Sequence, residues 1–166
     1  MFFLEELPST QVLKGFASRF PEMEIDSTTA CLKLLWFASH LTRELELHFA
    51  QHGLSQARFL VLIILERTES KRLMPVEIAR QLGISKKNTA RVLSFMEEDG
   101  LATRTSHESD GRASIVGITP KGSKTLAQAM PGYYRVLNRV MKKLKGRDKR
   151  TLIDLLSQLN EGVLSS

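Results

Sequence analysis

The residues of this chain with the clearest chemical potential form a basic stretch that contains no acid. Between residues 80 and 95 there are four cationic side chains, Arg80, Lys86, Lys87 and Arg91, and no aspartate or glutamate. Cationic side chains without acidic neighbours attract phosphate groups. The chemistry indicated is therefore the binding of a polyanion, and the structural alternative is a solvated basic helix face.

The net charge of +6 is weaker evidence, because it comes from one C-terminal segment. Residues 135–150 hold eight basic side chains against one acid, so this segment is +7 and the rest of the chain sums to −1. The first 26 residues carry five acids against two bases. The overall charge alone does not establish nucleic-acid binding.

A stripe of potential metal ligands lies further towards the N-terminus. His40, Glu44, His48 and His52 are each four residues apart, so adjacent pairs share a helix face. Glu44, His48 and His52 could contribute to a zinc or nickel site, with a fourth ligand such as His107. Such a stripe supplies two or three donors at most. A solvated helix face is the favoured interpretation, and no metal site is predicted.

No enzyme or cofactor is predicted from the motifs. The sequence lacks a nucleophile elbow, a P-loop, a dinucleotide fingerprint and an H-E-x-x-H zinc motif. Its 166 residues, 42% hydrophobic and 25% charged, are typical of one globular domain. The longest apolar run has seven residues (59–65), the amino terminus lacks a signal peptide, and there is one cysteine. These features predict a cytoplasmic protein that has no membrane partner.

The elements that must position the basic stretch are mostly helical. Cap and breaker residues predict a short amphipathic helix within residues 1–20 and a helix of about 26 residues from Asp26-Ser27-Thr28. They predict three further helices in the middle of the chain: one over 59–65 after Ser55, a short one from Pro75 to Gly83, and one from Ser85 to Gly100. Two final helices are predicted near 120–145 and 148–163. The continuous apolar run 59–65 also fits a buried strand. Segments 101–105 and 114–119 flank Asp110-Gly111, which predicts a β-hairpin.

Projection of the helix after Ser85 separates two faces. The core face is predicted to carry Thr89, Val92, Leu93 and Met96. The exposed face is predicted to carry Lys86, Lys87, Ala90, Arg91 and Ser94, and Asn88 lies between the two faces. The acids of this helix lie only at its C-terminal end. A short helix, a glycine turn, this basic helix and a hairpin form a winged helix-turn-helix. The predicted fold class is mainly α (α+β), with a winged helix-turn-helix between long dimerisation helices at both ends. The predicted divisions are 1–54, 55–122 and 123–166.

Residues 74–122 resemble the DNA-binding module of the MarR family of bacterial transcription regulators. The segment Asp110-Gly111-Arg112 matches the D-x-R motif of the family's wing, and residues 115–122 fit the pattern that follows it. Pro75 to Ala79 and Leu82 to Ser85 fit its helix-turn-helix. The flanking helices fit its dimerisation region, so the resemblance covers about residues 27–163. Residues 1–26 lie outside the common pattern.

The resemblance implies a homodimeric regulator, such as a ligand-responsive repressor, whose two recognition helices enter successive major grooves of a pseudo-palindromic operator in double-stranded DNA. By position, Lys87, Asn88 and Arg91 match the family's base contacts, and Arg112 matches the arginine that enters the minor groove. Further contacts are expected from Ser85 and Lys86 to phosphates. Asp110 is interpreted as ordering the wing, because a carboxylate would repel phosphates. Family members commonly respond to a small aromatic or phenolic effector in a crevice between the dimer helices and the DNA-binding module.

Two alternatives remain open. The same fold could be a winged-helix protein-interaction module that reads no DNA sequence. Alternatively, Cys31 could act as a peroxide sensor or thiol peroxidase, since its spacing to Leu54-Ser55 resembles that of the family's hydroperoxide sensors. Those sensors place tyrosines near the thiol, whereas this chain has Leu45 and Gln56 there. A buried, inert cysteine is therefore expected.

Overall fold

The computed structural model describes residues 5–106 and 114–164. The observed elements are the helices α1 (Thr10–Ala17), α2 (Ile25–Ala50), α3 (Gln56–Arg67), α4 (Pro75–Leu82), α5 (Lys86–Glu98), α6 (Pro120–Val140) and α7 (Gly146–Leu164), a 3-10 turn Met141–Lys143, and the strands β1 (Arg72–Leu73), β2 (Ala102–Ser106) and β3 (Ser114–Ile118). The predicted mainly helical fold with a winged helix-turn-helix is confirmed.

Local sequence signals explain most of the boundaries. Ser55 caps α3 by accepting a hydrogen bond from the backbone N–H of Arg58 at 3.4 Å, so the apolar run 59–65 is helical and not a strand. Pro75 is the first residue of α4. At the end of α4, Gly83 has φ of 66°, a left-handed conformation that glycine adopts without a Cβ penalty.

The start of α2 differs from the prediction. The helix begins one residue before Asp26, and its N-cap is Glu24. The Glu24 carboxylate accepts hydrogen bonds from the backbone N–H groups of Asp26 (3.2 Å) and Ser27 (2.8 Å). Hydrogen bonds from Ser27 hold the pKa of Glu24 below its usual value. The negative charge is also favourable at a helix N-terminus, which explains why an unusual capping residue is used here.

The small sheet contains a strand that the sequence did not predict. β1 pairs antiparallel with β3, and β3 pairs antiparallel with β2, so the order is β1-β3-β2. Thr103 lies opposite Gly117 in the β2–β3 ladder, while Arg72 lies opposite Gly117 on the other side. β1 therefore fastens the chain between α3 and α4 to the base of the hairpin.

One core joins the helices to the sheet. Its fully buried side chains come from five helices and β3, and they include Phe49, Phe59, Leu62, Ile78, Leu93, Met96 and Val116, with Ala129 among the smaller ones. Phe49 of α2 and Phe59 of α3 stack with ring centroids 4.1 Å apart. Packing of this density fixes α5 and the hairpin base relative to the long helices. Within the described residues, no helix is both long and apolar enough to cross a membrane.

Candidate nucleic-acid interface

The basic helix α5 is anchored through the face predicted to be its core face. Thr89, Leu93 and Met96 are buried, and Val92 is half-buried. The Thr89 hydroxyl donates a hydrogen bond to the carbonyl oxygen of Ser85 at 3.1 Å, which satisfies the one polar group among them. The helix cannot rotate without exposing these side chains, so its opposite face is fixed towards solvent.

That opposite face carries the basic residues. Lys86, Lys87, Asn88 and Arg91 are all exposed, and none of them forms an ion pair with another residue of ranges 5–106 and 114–164. The first turn of α5 contains no acid. Since the helix dipole adds partial positive charge at this end, the surface has the electrostatic character that attracts phosphates.

Ser85 lies where the backbone of the turn meets α5. Its Oγ accepts a hydrogen bond from the backbone N–H of Asn88 at 3.2 Å, and it is the N-cap of the helix. A capping hydroxyl keeps its own proton available as a donor. Ser85 can therefore cap α5 and still offer its proton to a phosphate, and the phosphate contact assigned to it stays a prediction.

The wing is present, but its tip is not part of the described structure. Strands β2 and β3 form the predicted antiparallel hairpin. Two residues of this tip carry predicted roles: Arg112 is predicted to contact DNA, and Asp110 to order the wing. Both lie outside the described residues, as does His107. The roles assigned to them stay predictions.

An ion pair that the sequence did not predict connects the wing to α5. Arg104 of β2 places Nη2 at 2.8 Å and Nε at 2.9 Å from Oε1 of Glu97. Both side chains are about one-third exposed. The pair links α5 to the strand that leads into the wing tip, where Arg112 is predicted to contact DNA, and we expect it to help to orient the wing.

We expect Glu97→Gln to weaken operator binding about twofold to fivefold, as suits the loss of one partly exposed ion pair that orients the wing. Glu98→Gln is the matched control, since it removes the same charge from a neighbouring exposed residue that has no described ion-pair partner. Fluorescence anisotropy with a labelled operator measures both. Equal affinities for the two variants would contradict a positioning role for Glu97.

Cys31 differs from its expected environment. The thiol is exposed on the single chain and not buried, because it lies in the N-terminal half of α2, which most of the core does not reach. Tyr133 packs in the core, with its ring centroid 5.1 Å from that of Phe59. The prediction of a buried cysteine was therefore wrong. The sequence still has Leu45 and Gln56 at the positions where the hydroperoxide sensors place tyrosines near the thiol.

We expect Cys31→Ser to leave DNA binding unchanged, with and without an organic hydroperoxide. Exposure alone does not activate a thiol, which needs a group that stabilises the thiolate. Gel-shift titrations of both proteins measure the effect. Release of DNA by peroxide from the wild type, but not from the Cys31→Ser variant, would show that Cys31 is a sensor.

Two members of the stripe His40, Glu44, His48 and His52 contact α6. Nε2 of His48 lies 2.8 Å from the carbonyl oxygen of Ala129 in α6, and a Cβ on Gly132 would approach this ring nitrogen to 2.7 Å. Glu44 pairs with Arg139. In the part of the chain that the structure describes, no three histidine, cysteine or acidic side chains are grouped to hold a metal ion.

Comparison with known proteins shows similarity to transcription regulators. Residues 52–113 match the sequence profile of the MarR family. The chain is 26% identical over 158 residues to the transcriptional repressor YetL of Bacillus subtilis, covering 95% of both chains. It is 29% identical over 161 residues to the transcriptional repressor MprA of Escherichia coli, covering 95% of this chain and 88% of that one.

Solved structures share the fold. The MarR family regulator AbsC from Streptomyces coelicolor superposes with a TM-score of 0.79 at 23% identity, covering 87% of this chain and 98% of that one. Sco3205 from the same organism, solved in complex with DNA, has a TM-score of 0.78 at 18% identity, covering 84% of this chain and 89% of that one. The organohalide-sensing regulator RdhR-CbdbA1625, solved in its 2,4-dichlorophenol-bound form, has a TM-score of 0.77 at 20% identity, covering 99% of this chain and 90% of that one. The profile match over residues 52–113, the relatives that span 95% of this chain and the shared fold all show similarity to the MarR family.

Proposed function

We propose that this protein is a sequence-specific transcriptional repressor that binds a pseudo-palindromic operator as a homodimer. The observation that carries the proposal is the exposed basic face at the N-terminal end of α5, whose first turn contains no acid and which packs beside the hairpin. The relatives YetL and MprA are transcriptional repressors, and Sco3205 was solved with DNA, which support the same interpretation. Access to chromosomal operators places such a regulator in the bacterial cytoplasm.

Within this proposal, the side chains of α5 divide by what they can reach. α5 has 13 residues and is about 20 Å long, which suits insertion of its N-terminal half into a major groove. Lys87, Asn88 and Arg91 are assigned to base edges, and Ser85 and Lys86 to phosphates. Arg112 is assigned to the minor groove, where the negative potential attracts arginine.

A homodimer is expected because the single chain leaves much apolar surface uncovered. Leu34, Leu35 and Phe37 of α2 are each more than one-third exposed, as are four large side chains of α7. Exposed apolar surface of this extent is typical of an interface. Sedimentation at micromolar concentration should give about 37 kDa, twice the 18.7 kDa of one chain. A monomer would contradict both the dimer and the palindromic operator.

We further propose that a small aromatic or phenolic effector binds in a cavity between α3 and α6. The cavity has a volume of about 330 Å³ and is lined by the apolar side chains of Ile63, Leu126, Ala127 and Met130, with Glu66, Arg67 and Ser123 at its polar end. This size and mixture suit a small ligand. A ligand here would contact an element of the DNA-binding module and an element that leads to the dimerisation helices.

The polar end of the cavity favours a phenolate or carboxylate placed towards Arg67. Hydrogen bonds from Lys71 and Ser123 hold the pKa of the Glu66 carboxyl below its usual value, so Glu66 is ionised and already bonded. One nitrogen of Arg67 donates to Gln81, which leaves other guanidinium donors for a ligand.

Calorimetric titration with 2,4-dichlorophenol and with salicylate tests the cavity. Met130→Trp should fill it and abolish the heat of binding, whereas Leu47→Trp, at an exposed position outside it, should not. Binding that survives in the Met130→Trp variant would mean that the effector binds at another site. If neither compound gives a heat of binding with the wild type, the protein does not bind this class of ligand.

Salt dependence separates the repressor from a winged-helix protein-interaction module. When a protein binds DNA through several phosphate contacts, its log Kd rises steeply and linearly with the logarithm of the salt concentration. The affinity of an apolar protein interface does not weaken with salt in this way. Anisotropy with a labelled duplex at about 50 to 200 mM salt is the measurement. We expect a steep slope, and no measurable DNA binding at the lowest salt would favour the interaction module.

A further inference from the structure

A basic run at residues 142–150 takes no part in the proposed operator contact. It contains six bases against one acid and extends from the 3-10 turn Met141–Lys143 into the start of α7. Within ranges 5–106 and 114–164, none of its bases forms an ion pair. Lys149 is half-buried, and the other five bases are exposed: Lys142, Lys143, Lys145, Arg147 and Arg150.

The one acid of the run is engaged by the backbone. Oδ2 of Asp148 accepts a hydrogen bond from the backbone N–H of Lys145 at 3.2 Å, so this carboxylate is held at the N-terminal end of α7. The helix dipole adds partial positive charge at the same end. The basic side chains therefore form a concentrated positive surface on one turn of the chain.

This surface is far from the recognition helix. α6 begins at Pro120, next to the base of the wing, and its 21 residues are about 31 Å long. The basic run follows the other end of α6. At physiological salt, the attraction between exposed charges is screened beyond about 8 Å. The run is thus placed to bind a polyanion other than the stretch of DNA that α5 contacts.

The composition of the run indicates which polyanion it fits. No aromatic residue follows Tyr134, so the run offers no platform on which single-stranded bases could stack. Its one apolar residue, Leu144, is half-buried, and the exposed large apolar side chains of α7 begin only at Ile153. A protein partner is usually held by apolar or aromatic anchors. Clustered bases without such anchors suit the phosphate backbone of a duplex.

We propose that the run 142–150 binds the backbone of a second DNA duplex without reading its sequence. α5 holds the operator, and the run at the other end of α6 holds a separate DNA segment, so one homodimer bridges two duplexes. The dimer carries the run twice, which doubles the number of phosphate contacts. The bridging rests on the proposed operator binding, whereas the phosphate contact itself does not.

A capture experiment tests the bridge. Full-length protein is bound to a selected operator duplex on beads, unbound protein is washed away, and a labelled scrambled duplex is added at about 50 mM salt. The wild type should retain the labelled duplex. The triple variant Lys142→Gln, Lys143→Gln, Lys145→Gln should retain about tenfold less, because it loses three phosphate-binding charges in each protomer. Its affinity for the operator, measured by anisotropy, should be unchanged.

The matched control removes three lysines elsewhere. Lys14→Gln, Lys33→Gln, Lys124→Gln changes exposed positions of α1, α2 and α6 and should retain the labelled duplex like the wild type. Equal retention by the two triple variants would overturn the proposal. So would displacement of the labelled duplex by a glutamate polymer more readily than by unlabelled duplex at equal charge, since that would assign the run to an acidic protein segment.

The same beads separate this inference from the proposed function. Wild-type protein that stays on the operator but captures no second duplex would refute the bridge and leave the repressor intact. Wild-type protein that does not stay on the operator duplex would refute the proposed repressor, and the bridge with it.

Discussion

Replacing Gly122 by alanine should destabilise the fold by about 3 kcal/mol, the upper range for overpacking a rigid site. Gly122 is buried in the first turn of α6. A Cβ there would overlap the carbonyl oxygen of Leu101 and approach Cγ1 of Ile118 to 2.9 Å. The Leu101 carbonyl already accepts a hydrogen bond from the backbone N–H of Thr119 at 3.1 Å. This carbonyl cannot move away from the new Cβ without breaking the hydrogen bond that links the base of the wing to the start of α6.

Urea denaturation at one fixed protein concentration measures this loss, since the stability of a dimer depends on concentration. Gly15→Ala is the control, because a Cβ at Gly15 meets no atom within 4 Å. That variant should be unchanged or more stable by up to about 1 kcal/mol, the difference in helix propensity. If Gly122→Ala unfolds at the same urea concentration as the wild type, the close approach of α6 to Leu101 is wrong.

The second large effect is expected at Arg91. Arg91 lies in the second turn of α5 on the exposed face, where its guanidinium can reach a guanine edge. Arg91→Ala should cost roughly 1–3 kcal/mol on the operator, much less on unrelated DNA, and relax the preference at one base pair per half-site. Lys124→Ala, at an exposed position of α6, is the control and should change neither.

Arg112 should behave differently from Arg91, because the minor groove offers mainly width and negative potential. Arg112→Ala should weaken operator and scrambled duplexes more evenly. It should also reduce the salt slope by about one unit for each interaction with the DNA backbone that the substitution removes. Anisotropy with both duplexes at several salt concentrations separates the two arginines. Equal losses of affinity on both duplexes for Arg91→Ala would make Arg91 a phosphate-binding residue and not a base reader.

The sequence predicted the recognition helix in detail because local rules decide it. Ser85 ends the turn and caps α5, and the helical period alone separates buried Thr89 and Leu93 from exposed Lys87 and Arg91. The family resemblance added the expected role of each residue, which geometry alone does not give. The roles of Lys87, Asn88 and Arg91 therefore stay predictions, which binding measurements with DNA test.

Other features depend on contacts between distant segments and were not predictable from local pattern. β1 has two residues and forms only because β3 offers an edge. The Arg104–Glu97 pair joins a strand to a helix, and the single available signal was an acid on a helix end followed by a basic residue on the strand. The exposure of Cys31 likewise follows from how far the core extends along α2, which its neighbours in sequence do not reveal.

Selection of bound duplexes from a random DNA pool tests the central claim most directly. The full-length wild-type protein is mixed with the pool at moderate salt, and retained sequences are read after several rounds. We predict enrichment of one pseudo-palindrome whose half-sites lie about one helical turn apart, because two symmetric α5 helices must enter successive major grooves. Retention without any enriched motif would show a charge-driven, sequence-independent contact and would contradict the proposed repressor.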